Sequence, residues 1–244
     1  MRLFGLIGFP LGQSFSKKFF TEKFEKEKIA DCRYELFEIP TIAELHSVLA
    51  NNPELHGFNV TIPYKQDVLA FLQELDPEAA SIGACNCIKI TEEGLKGYNT
   101  DAAAFESTLL QQLQPHHTHA LILGTGGAAK AVKYVLEKLG IVYKYVSRSA
   151  KEGALTYEAL TPDVMATHTL IINSTPLGSF PKTEGKPAIP YDLITPQHYL
   201  YDLVYNPSLT AFLNEGQQRG AFIKNGYDML VGQAEESWRI WNEK

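Results

Sequence analysis

Residues 120–129 read "ALILGTGGAA", an apolar run that breaks into a glycine-rich turn and continues into small residues. No other stretch restricts the fold as tightly. The apolar run is a buried strand, and 127–140, "GAAKAVKYVLEKLG", has helical periodicity and stops at Gly140. The turn between them fits G-x-G-x-x-A, with Gly124, Gly126 and Ala129 in the pattern. Such a turn lets a pyrophosphate approach the backbone, and the helix N-terminus offers it free N–H groups and a positive dipole end. The competing reading is a strand–helix turn that needs glycine for tight packing alone.

The end of the next strand bears on which dinucleotide would bind. A site for NAD places an acid there to hold the ribose 2′-hydroxyl. Here "VYKYVS" (142–147) runs into Arg148, Ser149 and Lys151 without one. A guanidinium matches a 2′-phosphate in charge and shape, which an acid would repel. NADP is therefore expected over NAD.

Around this unit the strand and helix patterns alternate. Strands are predicted at 3–8, 33–39, 55–62, 120–124, 142–147, 169–174, 199–205 and 221–226. Helices are predicted at 14–29, 41–52, 65–75, 101–113, 127–140, from 208 and over 228–241. Thr41 with Glu44 is a capping-box signature. Residues 85–99 read as a hairpin turning at Glu92-Glu93-Gly94. The β-α-β order predicts two α/β domains that meet near residue 100.

A net charge of −6, with both signs interspersed, argues against a nucleic-acid backbone binder. No stretch approaches the roughly 20 apolar residues of a membrane span, and the N-terminus lacks a signal-peptide pattern. The expected location is the cytoplasm. Cys32, Cys85 and Cys87 fit a reducing compartment, with Cys85 and Cys87 expected as buried thiols on one strand face. "QPHHTH" (114–119) is expected to be a solvated loop and not a metal site.

Several polar clusters stand at element ends. Ser14 and Ser16 enter a helix, where they suit a small carboxylate or a plain N-cap. "NVTIPYK" (59–65) puts Asn59 and Thr61 on one strand face, stops the strand at Pro63 and delivers Lys65. Asn86 opens the hairpin, and Asp101 stands where a strand gives way to a helix, with N-capping as its simplest role.

"NVTIPYK", the Ser-x-Ser of "SFS", "GACN", "YNTD", "GTGGAA", "SRS" and "GYDMLVGQ" occur in this order along nearly the whole chain. Together they resemble the shikimate dehydrogenase family. The resemblance implies a fold of two α/β domains. The first, 1–100 plus 226–244, would be a substrate-binding domain with a mixed, largely parallel sheet. The second, 101–225, would be a Rossmann-type NADP-binding domain. It implies that Ser14 and Ser16 hold a substrate carboxylate. Asn59, Thr61, Asn86, Asp101 and Gln233 would meet ring hydroxyls, and Lys65 with Asp101 would be the catalytic pair. Gly124, Gly126, Gly127 and Ala128 would line the pyrophosphate. Arg148, Ser149 and Lys151 would bind the 2′-phosphate. Gly226 and Met229 would lie by the nicotinamide, and Tyr205 would touch both ligands. The chain departs from the family where Ser147 and Ser149 flank Arg148, where Ala102 replaces a common glycine, and where Cys87 replaces a frequent threonine.

The activity so implied is NADP-dependent reduction of 3-dehydroshikimate to shikimate, by a monomer or homodimer. Lysine is an ammonium at neutral pH and so a proton donor. An adjacent carboxylate would raise its pKa, so Asp101 would not serve to make Lys65 a better base. Domain closure on binding is a further expectation. The alternatives are a quinate-type dehydrogenase, a methylene-tetrahydrofolate dehydrogenase and a non-catalytic NADP-binding module. The Ser-x-Ser and Asn-Thr-Asp clusters suit a small hydroxylated acid better than a pterin.

Overall fold

The structure, a computed structural model, describes residues 1–12 and 14–243. The chain divides into two compact units, Met1–Thr100 with Val231–Lys244, and Asp101–Leu230.

The first unit contains β1 (Arg2–Gly8), α1 (Phe15–Lys26), β2 (Cys32–Glu38), α2 (Leu45–Asn51), β3 (Leu55–Val60), β4 (Glu74–Leu75), α3 (Pro77–Ile82), β5 (Cys87–Thr91) and β6 (Gly94–Tyr98). Its sheet runs β2-β1-β3-β5-β6-β4. β1 is parallel to both β2 and β3, whereas β5 is antiparallel to β3 and β6. Alternation along β1 sends Leu3 and Ile7 into one apolar cluster and Phe4 and Leu6 into another. Trp241 closes the second cluster. It stacks on Phe4 at 4.8 Å and donates its indole N–H to the Ile88 carbonyl. This anchors the C-terminal residues on the sheet of the first unit.

The second unit begins in α4 (Thr100–Leu109) and continues through β7 (His119–Leu123), α5 (Gly127–Lys138), β8 (Val142–Ser147), β9 (Ala154–Thr156), α6 (Pro162–Thr167), β10 (Leu170–Asn173), β11 (Tyr199–Asp202), α7 (Ala211–Gln218) and β12 (Phe222–Lys224). α8 (Tyr227–Asn242) closes the chain. All six strands are parallel, in the order β12-β11-β10-β7-β8-β9. That is the doubly wound 3-2-1-4-5-6 order, whose direction reverses between β7 and β10. The central strands β7 and β10 are apolar on both faces because helices cover both sides of such a sheet.

The structure corrects several sequence expectations. The predicted helix over 65–75 is a short 3-10 stretch, Asp67–Phe71, followed by β4. The Lys65 carbonyl is taken by the Cys85 N–H, so the Leu69 N–H turns to Gln66 three residues back. The strand predicted over 199–205 ends at Asp202, whose carboxylate accepts from the Val204 N–H and turns the chain. Cys85 precedes β5 and does not share a strand face with Cys87; the two join different clusters. Asp101 lies inside the first turn of α4 and is not its cap. Among the described residues no helix is long and apolar enough to cross a membrane.

His117 is buried, contrary to the expectation of a solvated loop. Its Nδ1 accepts from the Gln114 N–H and its Nε2 faces the Gln197 carbonyl, which His116 Nε2 also approaches. No group of three or more His, Cys, Asp or Glu among the described residues could hold a metal ion. His198 is buried with both ring nitrogens occupied. His168 bonds the Val164 carbonyl through Nδ1, and its buried Nε2 has no partner among the described residues.

Burial lowers the pKa of all three rings, helped at His117 by His116 and His198 and at His168 by His119 and Lys144. The unfolded chain then takes up protons first as pH falls through about 6.5. Stability should therefore drop on acidification, by up to about 1.4 kcal/mol per pH unit for each ring inside its window. Urea unfolding between about pH 7.5 and about pH 5.5 should show a falling midpoint, with a shallower slope in His168→Gln. A flat profile would contradict this.

Candidate active site

In the first unit the polar residues cluster around the C-terminal end of β3. Thr61 donates its N–H to the Ile7 carbonyl, and buried Tyr64 donates its hydroxyl to the Ile39 carbonyl at 2.6 Å. These bonds fix the segment that carries Lys65. Lys65 is half-buried, and the bond from the Cys85 N–H to its carbonyl, 2.8 Å long, ties it to the residue before Asn86.

Asn59 is 4% exposed and bonded in several directions. Its Oδ1 accepts from the Tyr34 hydroxyl at 2.9 Å, and its Nδ2 donates to Ser237 Oγ at 2.8 Å and to the Asn86 carbonyl at 3.2 Å. Burial pushes the Tyr34 phenol well above its ordinary range, with Ser16 acting in the opposite sense, so it stays a donor. The Asn86 carboxamide meets Thr100: its Oδ1 accepts from the Thr100 N–H at 2.7 Å, and its Nδ2 donates to Thr100 Oγ1 at 3.0 Å. Gln233 is buried on α8, one turn before Ser237.

Ser14 is the N-cap of α1, its hydroxyl accepting from the Lys17 N–H at 3.4 Å. Ser16 is in the first turn, where backbone N–H groups have no intrahelical partner. Asp101, in the first turn of α4, has its carboxylate at the positive end of that helix.

In the second unit the glycine turn lies at the reversal point of the sheet. Gly124 has φ +102°, and a Cβ there would meet Thr175 and Ser174 after β10. Gly126 and Gly127 differ. Among the described residues a Cβ at either would meet nothing within 4 Å, and Gly126 has an ordinary extended backbone. Neither strain nor a neighbour demands glycine at these two positions. Open space at a helix N-terminus with no acid in its first turn fits a pyrophosphate.

Arg148 and Ser149 are exposed just beyond β8, and Lys151 Nζ donates to Thr125 Oγ1 at 3.2 Å across the turn. Lys151, one of the cations expected at a 2′-phosphate, thus borders the glycine turn, and Arg148 follows directly on β8. Gly226 is demanded by its surroundings, because a Cβ would lie 2.1 Å from the Leu203 carbonyl oxygen. Its N–H donates to the Val204 carbonyl, beside half-buried Tyr205, and Met229 is buried one turn on.

Three side chains at the core of these arrangements carried no signal that singled them out: Tyr34 and Ser237 in the first unit and Asp202 in the second. Thr100 stood in the sequence only as the middle of the Asn-Thr-Asp cluster, with no role of its own. Asp202 is fully buried and accepts from the Asn173 amide, the Thr210 hydroxyl and the Val204 N–H. Burial pushes its carboxyl up to about 6, against the pull of those donors.

The fold and these sites define a protein of two α/β domains, the second with the Rossmann dinucleotide-binding architecture. Residues 6–88 match the family model described as "Shikimate dehydrogenase substrate binding domain". The chain is 37% identical to a Clostridium beijerinckii protein named shikimate dehydrogenase (NADP(+)), over 100% of its own length and 93% of the relative's. It is 35% identical to the protein of that name from Methanococcus maripaludis, over 98% and 91%. It also superposes on the crystal structure of shikimate 5-dehydrogenase from Thermus thermophilus in complex with NADP(H) and shikimate. There the TM-score is 0.86 and the identity 28%, over 99% of this chain and 94% of that one. The chain belongs to the shikimate dehydrogenase family.

Proposed function

We propose that the protein is an NADP-dependent oxidoreductase that reduces 3-dehydroshikimate to shikimate. The observation that carries the reading is the union, in one chain, of Lys65 beyond the C-terminal end of β3 with an open glycine turn bordered by Lys151, in a unit whose next strand runs into Arg148 without an acid. Full-length similarity to relatives named shikimate dehydrogenase (NADP(+)) supports it.

Bound NADPH would supply a hydride for the ring ketone. Gly124, Gly126, Gly127 and Ala128 would hold its pyrophosphate, and Arg148, Ser149 and Lys151 its 2′-phosphate. Gly226, Met229 and Tyr205 would border the nicotinamide. The remaining work falls to the chain. The ketone oxygen becomes an alkoxide unless a proton reaches it, and Lys65 donates that proton from its ammonium. Asp101 orients the ammonium and grips a ring hydroxyl. Ser14 and Ser16 hold the carboxylate with hydroxyl and N–H donors. Thr61, Asn86 and Gln233 fix the face that the ring presents, with Asn59 beside them.

The cofactor assignment is tested by titrating NADPH and NADH into wild type and Arg148→Ala. Losing a charge-assisted bond of about 2 kcal/mol should weaken NADPH about thirtyfold and leave NADH nearly unchanged. Equal affinities in wild type, with no effect of the substitution, would refute it. The substrate is tested by assaying 3-dehydroshikimate beside its quinate-type counterpart and ketones lacking the carboxylate. The reading predicts strong preference for the first, and equal rates across that panel would contradict it.

A further inference from the structure

Ser237 is fully buried on α8, and its hydroxyl stands where several site residues meet. It donates to the Gln233 carbonyl at 2.8 Å and accepts from Asn59 Nδ2 at 2.8 Å. Thr100 Oγ1 lies 3.4 Å away, and Thr100 in turn holds the Asn86 carboxamide by its N–H and its hydroxyl. Asn59 extends the chain to Tyr34 on β2. One hydroxyl thus links β2, β3, the start of β5, the start of α4 and the last helix. Alanine would be the better helix former at this position. The bond back to the carbonyl four residues earlier also loosens the turn that carries Gln233. A buried hydroxyl retained against those preferences needs partners that matter.

We propose that Ser237 is a positioning residue for substrate, holding Asn59, Asn86 (through Thr100) and Gln233 in one mutual register. This rests on the proposed function, in which Asn86 and Gln233 meet the ring. Asn59 then serves the site chiefly as scaffold, because its Nδ2 donates within the unit to Ser237 and to the Asn86 carbonyl. Without the Ser237 hydroxyl, Asn59 loses an acceptor and Thr100 a neighbour. The substrate must then order groups that the folded protein had already ordered.

The test is Ser237→Ala, with steady-state kinetics on both substrates. The proposal predicts a KM for 3-dehydroshikimate about tenfold higher, a KM for NADPH within about twofold, and kcat within about threefold. A residue that merely supports the fold would lower the active fraction, so kcat would fall while both KM values held. That pattern, or an unchanged KM, overturns the proposal. Tyr34→Phe, which releases Asn59 from its other side, should give the same split at smaller size, and an opposite split would count against the network. Wild type is measured alongside. If wild type fails to turn over 3-dehydroshikimate, the functional reading falls. The register claim is then judged by NMR exchange of the Asn59 and Asn86 side-chain amide protons. Exchange about tenfold faster in Ser237→Ala upholds it, and unchanged exchange overturns it.

Discussion

Lys65→Ala should lower kcat about a thousandfold while KM for 3-dehydroshikimate changes less than about fivefold. General acid catalysis by a placed side chain contributes about 10²–10⁴ in rate. The proton matters as the oxygen gains charge, so the loss falls on the transition state and leaves ground-state binding largely intact. The backbone should tolerate the change. Lys65 is held through its carbonyl by the Cys85 N–H, and the segment is anchored by Tyr64, so neither anchor needs the ammonium. Lys65→Arg should restore the charge but little of the rate, because a guanidinium does not release its proton. Near wild-type kcat in Lys65→Ala would remove this residue from the mechanism.

Asp202→Ala should cost about 3 kcal/mol of unfolding free energy at neutral pH. The substitution leaves three buried donors, Asn173 Nδ2, the Val204 N–H and the Thr210 hydroxyl, without their acceptor. Each such loss costs about 1–3 kcal/mol, partly offset because a buried charge disappears with it. Thr210 also caps α7, so the damage should reach that helix. The pH dependence has a definite sign. With the folded carboxyl raised to about 6 and the unfolded one near about 3.9, the folded state binds more protons between those values. Asp202 therefore subtracts stability as pH rises from about 4 to about 6, opposite to the buried histidines, and adds no slope above that. Asp202→Asn should remove this contribution and cost less than the alanine change, since it keeps an acceptor oxygen. Urea unfolding of the three proteins decides it. An alanine variant within about 1 kcal/mol of wild type would contradict the account.

The second unit was the more legible in sequence. Its apolar central strands and the turn at Gly124–Gly127 admit few arrangements, and the structure has the expected doubly wound sheet. Failures elsewhere have local causes. The pattern over 65–75 is helical, but the Lys65 carbonyl is claimed by Cys85, twenty residues away in the chain. α3 and α6 are six residues each, too short to show a period. Only their caps, Asp76-Pro77 and Thr161-Pro162, announce them. At the site, Ser14 could be assigned to a helix start because cap chemistry is local, whereas Asp101, read as a cap, lies inside the first turn. Ser237 could not be singled out. A buried serine and a solvated one look alike in sequence, and its partners Asn59 and Thr100 lie far from it along the chain. Asp202 was hidden for a related reason. It sits in an apolar run that reads as continuous strand, and only its three donors reveal that the chain turns there.

Steady-state oxidation of NADPH by the purified protein with 3-dehydroshikimate, run beside NADH, tests substrate and cofactor together. Saturable turnover yielding shikimate is expected, with kcat/KM at least about tenfold higher for NADPH than for NADH. No turnover of 3-dehydroshikimate with either cofactor would contradict it.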